Sequence, residues 1–285
     1  RGLGDVYKRQ LIVEPSFVCY RPIVSLCGGV PVVIETKEEN EFRLTADELR
    51  EKITDKTKLL VLPYPNNPTG AIMRREDLEA IAKVLKDTNI MIASDEIYSE
   101  LTYSGKHCSI VEIEGMRERT IVINGFSKSF AMTGWRLGFL GGPKEIVSQM
   151  LKLHQYAIMS SPTVSQYAAI VAMHSCQKDI DAMRNEYNIR RRFVVDSFNK
   201  LGLKCFAPQG AFYVFPCIKS TGMTSTDFCE KLVYNKKVAV VPGDAFGECG
   251  EGYVRVSYAY SLNHLREAIK RIGEFLEDIK NGNVQ

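Results

Sequence analysis

Lys128 lies in an unusual place for a lysine. The stretch TIVING at 120–125 is predicted to be a buried strand, because β-branched residues cluster in it and an Asn-Gly pair marks its end. Lys128 follows that end beside Ser127, and Arg136 comes eight residues later within a second glycine-punctuated apolar run. An amine, a hydroxyl and a guanidinium at the end of a strand suit a phosphorylated aldehyde, since the amine forms a Schiff base while the others hold the phosphate.

Three further polar side chains follow predicted strands and complete the pattern expected for pyridoxal phosphate. Asn67 lies in NNPTG, and Asp95 and Tyr98 lie in DEIY. A buried carboxylate at Asp95 would keep the ring nitrogen of the cofactor protonated. The Asn67 amide and the Tyr98 phenol can donate hydrogen bonds to the ring hydroxyl. Each group alone also fits a turn, a helix cap or a surface ion pair, so the prediction depends on the whole set.

Alternating patterns along the chain predict the scaffold. The apolar runs LIV, VPVVI, KLLVL, IMIAS, TIVIN and RLGFLGG are separated by amphipathic segments such as TADELREKI and REDLEAIAKVLKDT. Thr45, with Glu48 three residues on, has the signature of a capping box. The alternation predicts an α/β fold with a mostly parallel sheet flanked by helices. In such sheets, ligands bind outside the carboxyl ends of the strands. We expect the four polar groups to meet there: Asn67, Asp95 with Tyr98, Ser127 with Lys128, and Arg136.

A smaller α+β lobe is predicted after the sheet. Residues 144–201 have a helical pattern with one break at Ser160-Ser161-Pro162. Four strand-like segments follow: LKCFAP, GAFYVFPCI, KVAVVPG and YVRVSYA. Helical patterns at 226–237 and 262–280 accompany them, and we find no flexible linker, so the two lobes are expected to pack tightly.

We therefore expect three parts along the chain. Residues 1–10 are expected to be foreign, because DVYKRQ is what a transposon sequencing adaptor reads when it is translated in one frame. Residues 11–170 are predicted to form a cofactor-binding large domain that begins abruptly, with its N-terminal part missing. Residues 171–285 are predicted to hold a connector helix and the small domain.

Composition narrows the class of protein. The chain has 285 residues, 45% of them hydrophobic, and a net charge of +3 that is scattered, so we expect no nucleic-acid partner. No apolar run is long enough to cross a membrane. The eight cysteines form no CxxC pair, which favours reduced thiols in a cytoplasm. The four histidines have no metal-binding spacing, and neither phosphate-binding glycine loops nor a GxSxG elbow occur, so we expect no metal.

The chain resembles the fold-type I pyridoxal-phosphate enzymes and, within them, the class I and II aminotransferases of the aspartate and aromatic type. Five segments in the family's order carry this resemblance between about Leu11 and Lys280: YPNNPTG, SDEIY, GFSKSFAMTGWRLG, GAFYVFP and YVRVSYA. It departs from the family at the front, where a segment that closes over the substrate, a phosphate-binding turn and a tyrosine lent to the partner subunit would precede Leu11.

The resemblance implies a role for each candidate residue. Lys128 would be the Schiff-base lysine and, once displaced by substrate, the base that moves a proton between Cα and the cofactor. Asp95 would pair with the pyridine nitrogen, while Asn67, in a cis peptide with Pro68, and Tyr98 would bond the ring hydroxyl. Ser127 and Arg136 would hold the phosphate. Phe17 would stack on the ring, unless it is a core residue. Arg255, with Asn67 beside it, would clamp the substrate carboxylate, unless it forms a salt bridge between the lobes.

The resemblance also implies the reaction. It predicts a cytoplasmic homodimeric aminotransferase that moves an amino group between an L-amino acid and a 2-oxo acid. Two alternatives stay open at this point. A C–S β-lyase of the same fold would release ammonia and pyruvate, and a cofactor-binding regulatory domain would follow a DNA-binding module. A third hypothesis is that the chain is an inert fragment that binds the cofactor poorly.

Overall fold

A computed structural model describes residues 8–284, which fold around a six-stranded sheet. Its strands are β1 (Arg9–Glu14), β2 (Val30–Glu35), β3 (Thr57–Leu62), β4 (Met91–Asp95), β5 (Thr120–Gly125) and β6 (Gly138–Gly141). They lie in the order β2-β1-β3-β4-β5-β6. All neighbours are parallel except β5 and β6, which are antiparallel. The predicted mostly parallel α/β architecture is confirmed.

Helices flank the sheet and connect it to the second lobe. The α-helices of the described residues are α1 (Tyr20–Leu26), α2 (Ala46–Lys52), α3 (Arg75–Leu85), α4 (Phe126–Ser129), α5 (Lys144–Ala157), α6 (Thr163–Ser175), α7 (Gln177–Lys200), α8 (Ser225–Lys236) and α9 (Leu262–Lys280). The predicted capping box begins α2, because the Glu48 N–H donates to Thr45 Oγ1 and the Thr45 N–H donates to Glu48 Oε2. Within residues 8–284, none of these helices is long and apolar enough to cross a membrane.

The main core lies between the sheet and the helices α2 and α3. Strand residues Leu11, Leu60 and Ile92 pack there against Leu78 and Ile81 of α3, and all are almost fully buried. Helix α3 begins at Arg75, where the Asp77 carboxylate accepts a hydrogen bond from the Arg74 N–H. This packing fixes the strand ends, from which the candidate site residues extend.

The second lobe contains a small antiparallel sheet, β7 (Tyr213–Val214), β8 (Val241–Pro242) and β9 (Val254–Ser257), in the order β7-β9-β8. Its core includes Phe198, Phe228 and Phe275. The prediction of a strand at LKCFAP is wrong. The Cys205 N–H there bonds Asn199 Oδ1 at 3.0 Å, so a side chain takes the place of a strand partner.

The two lobes pack tightly, as predicted. Phe42 of the large lobe lies edge-on to Phe215 and Tyr253 of the small lobe, with ring centroids 5.8 and 5.7 Å apart. The boundary predicted at residue 170 falls inside α6, and the division into domains stays a prediction. The expectation that residues 1–10 are foreign concerns mostly residues 1–7, which lie outside the described residues, whereas Arg9 and Gln10 pair with β2.

Candidate active site

The carboxyl ends of neighbouring strands bring the candidate residues to one rim of the large sheet. Asn67 follows β3, Asp95 ends β4, and Lys128 lies on the single turn of α4 directly after β5. Arg136 precedes β6 instead of following a strand, but β6 runs antiparallel, so its start lies at the same rim. Arg136 has a left-handed backbone with φ of 52°. The expected convergence of these groups on one rim agrees with the strand order.

A cavity of about 420 Å³ opens at this rim, between the two lobes. It is lined by Phe17, Tyr20, Pro63, Pro65, Asn67, Asp95, Ile97, Tyr98, Ile123, Lys128, Tyr213 and Arg255. Six of the eight residues predicted from the sequence are among them. Ser127 and Arg136 are not among the lining residues.

Lys128 faces two aromatic rings and two cations. Its Nζ lies 5.9 Å from the centroid of the Tyr98 ring and 5.8 Å from that of Phe212. Burial lowers the pKa of the Lys128 amine, and the charges of Arg136 and Arg255 lower it further. The neutral amine, which is the nucleophilic and basic form, is therefore populated at lower pH than in a free lysine.

We expect this lowered pKa to appear in the reactivity of Lys128. Because only the neutral amine attacks an electrophile, competitive acylation of Lys128 should reach its half-maximal rate at a lower pH than that of free Nα-acetyl-lysine. Peptide mass spectrometry across a pH series measures this midpoint. A midpoint equal to or above that of the free amino acid would contradict the effect of burial and of the two guanidinium groups.

Asp95 is held by two hydrogen bonds. The Tyr20 hydroxyl donates to Asp95 Oδ2 at 2.7 Å, and the Ile97 N–H donates to Oδ1 at 3.2 Å. Burial raises the pKa of Asp95, and both hydrogen bonds oppose that shift because they favour the carboxylate. Burial and the Asp95 charge raise the pKa of Tyr20, so its phenol stays a donor. A carboxylate fixed in this way can face a cationic nitrogen in the cavity.

Tyr98 and Asn67 each contact a residue of the small lobe. The hydroxyls of Tyr98 and Tyr213 are 3.1 Å apart. Asn67 Oδ1 accepts a hydrogen bond from Arg255 Nη1 at 2.9 Å, and the predicted cis peptide between Asn67 and Pro68 is confirmed. Burial raises the pKa of both phenols, so both are protonated near neutral pH. The cavity is thus spanned by polar contacts between the lobes.

Arg255 has a free hydrogen-bonding edge inside the site. Its guanidinium carbon lies 4.6 Å from the ring centroid of Tyr213 and 4.8 Å from that of Phe246. Its Nε is buried and has no hydrogen-bond partner among residues 8–284. A buried N–H without a partner is costly, and a carboxylate would satisfy it with a charge-assisted bond. Among the described residues, Arg255 pairs with the Asn67 amide, and the alternative of a salt bridge between the lobes finds no acidic partner there.

The remaining candidates lie at the edge of the cavity. Phe17 is 44% exposed and contacts Tyr20 edge-to-face, so it is not a core residue. Arg136 is exposed, and its Nη1 donates to the Thr133 carbonyl at 3.0 Å. Ser127 adjoins Lys128 on α4.

Sequence reasoning missed Tyr20 and Phe246. Tyr20 is 75 positions from Asp95, and no short-range pattern indicates that a phenol will meet that carboxylate. Its spacing of three from Phe17 was the available signal, since that spacing places two aromatics on one side of a turn. Among the described residues, no group of three or more His, Cys, Asp or Glu side chains could hold a metal ion.

Comparison with known proteins identifies the family. The model of the family "Aminotransferase class I and II" matches residues 8–272. The chain belongs to this family. The enzyme is a transaminase, and its fold is that of the fold-type I aminotransferases. The resemblance found in the five sequence segments is thereby confirmed.

The aminotransferase is similar to several proteins that are themselves named as aminotransferases. It is 47% identical over 276 residues to a putative aminotransferase, YugH, of Bacillus subtilis, covering 97% of this chain and 72% of the relative. It is 48% identical over 273 residues to an aspartate aminotransferase of Pyrococcus abyssi, covering 95% and 70%. A solved aromatic aminotransferase of Pyrococcus horikoshii superposes with a TM-score of 0.94 at 46% identity, covering 96% of this chain and 74% of that one.

Proposed function

We propose that this aminotransferase uses pyridoxal phosphate, held at the rim by the residues predicted from the sequence. The observation that carries the proposal is the convergence of Lys128, Asp95 and Arg255 on one cavity. An amine with a lowered pKa, a buried carboxylate and a guanidinium with a free edge match the three needs of the reaction: a covalent anchor, a partner for the ring nitrogen and a carboxylate clamp.

Each group has a separate task in holding the cofactor. Lys128 Nζ would hold the aldehyde carbon, and the Asp95 carboxylate would keep the pyridine nitrogen protonated. Tyr98 and the Asn67 amide would donate to the ring oxygen. Ser127 and Arg136 would bind the phosphate, and Phe17 would cover one face of the ring. Bound there, pyridoxal phosphate supplies an electron sink for the pair left when a substrate Cα loses its proton.

The protein's own part in the chemistry is to move that proton. With the cofactor held by a substrate amine instead, the Lys128 amine would be free, and because its pKa is lowered, a larger share of it would be neutral and able to act as a base. It would take the proton from the substrate Cα and deliver it to the neighbouring cofactor carbon. The Tyr98 and Phe212 rings lie beside Nζ and make its surroundings partly apolar.

Arg255 would orient the substrate by its α-carboxylate. The rings of Tyr213 and Phe246 hold the guanidinium plane, and Asn67 Oδ1 occupies one of its N–H groups. The remaining edge can bind a carboxylate in two parallel hydrogen bonds, which positions Cα for proton transfer. Amino acids and 2-oxo acids share this carboxylate, so one arginine serves both substrates.

Replacement of Arg255 by lysine is expected to raise KM for the amino acid about 10- to 100-fold, because an ammonium cannot form the bidentate pair. The value of kcat should fall much less, since the groups around Lys128 are unchanged. Steady-state kinetics with saturating 2-oxo acid measure both. The matched control is Arg266→Lys on the exposed side of α9, which should leave KM unchanged. An unchanged KM in Arg255→Lys would contradict the carboxylate clamp.

An absorption spectrum tests the cofactor assignment. The protein is purified with pyridoxal phosphate and titrated with a panel of L-amino acids, beside the Lys128→Ala variant. We expect a band at roughly 360–430 nm that depends on Lys128 and is converted by those amino acids that donate their amino group. A protein without any lysine-dependent band would contradict the proposal. Ammonia release without an oxo-acid acceptor would indicate the β-lyase instead.

The relatives' names favour transfer over the two alternatives. They are named as aminotransferases, two of them for aspartate and for aromatic amino acids, and none of those cited is a lyase or a regulator. We propose substrates from the same group, namely dicarboxylic or aromatic L-amino acids with a 2-oxo acid acceptor. The panel titration distinguishes these donors.

We further propose a cytoplasmic homodimer. Helices α5 and α6 expose many large apolar side chains, among them Leu151, Leu153, Tyr156, Tyr167, Ile170 and Met173. Surfaces of this kind mark interfaces. The proposed cytoplasmic location has separate support: the eight cysteine thiols are free, which is typical of proteins in a reducing compartment. Analytical ultracentrifugation of the protein measures the assembly, and a monomer at micromolar concentration would contradict the dimer.

A further inference from the structure

Tyr213 contacts two of the proposed site residues through different parts of its side chain. Its hydroxyl lies 3.1 Å from the Tyr98 hydroxyl, and its ring face lies 4.6 Å from the guanidinium carbon of Arg255. Tyr213 is 7% exposed and belongs to β7 of the small lobe, whereas Tyr98 belongs to the large lobe. The two rings meet at 82°, with centroids 5.9 Å apart. Packing therefore fixes the ring on which both contacts depend.

We propose that Tyr213 is a positioning residue with two separable tasks: its hydroxyl donates to Tyr98 and strengthens that phenol as a donor to the cofactor's ring oxygen, and its ring holds Arg255 flat for the substrate carboxylate. The proposal rests on the proposed binding of pyridoxal phosphate. It links the residue that contacts the cofactor oxygen to the one that binds the substrate, across the cleft between the lobes.

The direction of the hydrogen bond follows from counting protons. Each phenol has one hydrogen to donate. If Tyr98 donates to the ring oxygen, it has none for Tyr213, so Tyr213 must be the donor between them. A donor to the Tyr98 oxygen polarises the Tyr98 O–H and strengthens its own hydrogen bond. Both phenols then stabilise the ring oxygen, although only Tyr98 contacts it.

This chain of donors sets the pH at which the lysine-linked cofactor loses its proton. A donor stabilises the ring oxygen most when that oxygen carries its full negative charge, which is in the deprotonated form. Loss of a donor therefore raises the pH midpoint of the absorption change. Among the described residues, the other titratable and charged groups around the two phenols are Tyr20, Asp95, Lys128, Tyr187 and Arg255. Tyr213→Phe keeps the aromatic ring that packs against Arg255 and replaces none of these groups.

The hydroxyl and the ring can be removed one at a time. Tyr213→Phe keeps the ring and should raise the pH midpoint by about 0.5 to 1 unit, the range that one net hydrogen bond supplies. It should leave KM for the amino acid within about twofold. Tyr213→Leu also removes the aromatic face beside Arg255 and should raise KM about fivefold or more, since a desolvated cation–π contact is lost.

A double-mutant cycle supplies the decisive comparison. If Tyr213 acts through Tyr98, then Tyr98→Phe and Tyr98→Phe/Tyr213→Phe should have the same midpoint. Tyr103→Phe is the matched control, because it removes a half-buried phenol that bonds the Ala211 carbonyl and does not line the cavity, and it should not move the midpoint. Thermal unfolding of the cofactor-free variants shows whether a merely structural change has occurred.

The outcomes separate the inference from the function on which it rests. A raised midpoint in Tyr213→Phe that disappears in the Tyr98→Phe background supports the proposal. A lysine-dependent band with an unchanged midpoint, or with shifts that add, overturns the role of Tyr213 and leaves the cofactor assignment intact. Failure of the parent protein to form any such band overturns both.

Discussion

Lys128→Ala is expected to lower kcat for transamination by about 10⁴-fold or more. The substitution removes the amine that anchors the cofactor and also the base that transfers the Cα proton, and general acid–base catalysis alone contributes about 10²- to 10⁴-fold. Stopped-flow absorbance with a single amino acid measures the half-reaction directly. The expected trace is a cofactor that still binds, through its ring and phosphate contacts, but converts very slowly.

A control separates loss of this amine from a general loss of charge. Lys178 lies on an exposed part of α7, and Lys178→Ala should keep the parent rate. A Lys128→Ala protein whose rate stays within tenfold of the parent would show that another group transfers the proton, which would remove the basis for the assignment of Lys128.

Asp95→Asn is expected to reduce kcat about 10²- to 10³-fold. The amide has the shape of the carboxylate but no charge, so it cannot keep the ring nitrogen protonated, and loss of one preorganised electrostatic contact in an active site typically costs this much. Single-turnover rates of the parent and of Asp95→Asn measure this reduction.

Tyr20→Phe is the matched comparison for Asp95. It removes the 2.7 Å hydrogen bond but leaves the charge and the Ile97 N–H bond, so we expect a loss of kcat of about tenfold, near the lower end of what one hydrogen bond to a charged group contributes. If Asp95→Asn were no slower than Tyr20→Phe, the negative charge would not matter, and the carboxylate would have only a structural role.

Much of the large lobe could be predicted from the sequence because its patterns are local. Alternation of apolar runs with amphipathic helices indicates parallel strands, and the Thr45–Glu48 box marks a helix start. The direction of β6 could not be predicted, because an apolar run has no direction of its own. The second break in the connector, at Cys176 between α6 and α7, carries neither proline nor glycine and was missed as well.

The small lobe was harder to predict because its strands are very short. Tyr213–Val214 and Val241–Pro242 are only two residues each, within segments that looked like long strands. Their apolar side chains pack against the helices of the lobe, and burial of that kind resembles a strand pattern whether or not the backbone joins a ladder.

The candidate site, too, could be predicted only in part. The residues at strand ends, Asn67, Asp95 and Lys128, could be named because their positions relative to the strands predict where they lie. The contacts that orient these side chains could not be predicted from the sequence. Tyr20 reaches Asp95, and Phe246 reaches Arg255, only through the packing of distant segments. Sequence therefore predicts which groups meet at the rim, whereas their orientation depends on the tertiary structure.

The most direct test of the central claim is to locate the cofactor on the chain. The protein is incubated with pyridoxal phosphate, reduced with borohydride to fix any carbon–nitrogen double bond, digested and analysed by mass spectrometry. The account predicts the phosphopyridoxyl group on the peptide that contains Lys128, in stoichiometric yield, and its loss in Lys128→Ala. Label spread over surface lysines, with Lys128 unmodified, would contradict it.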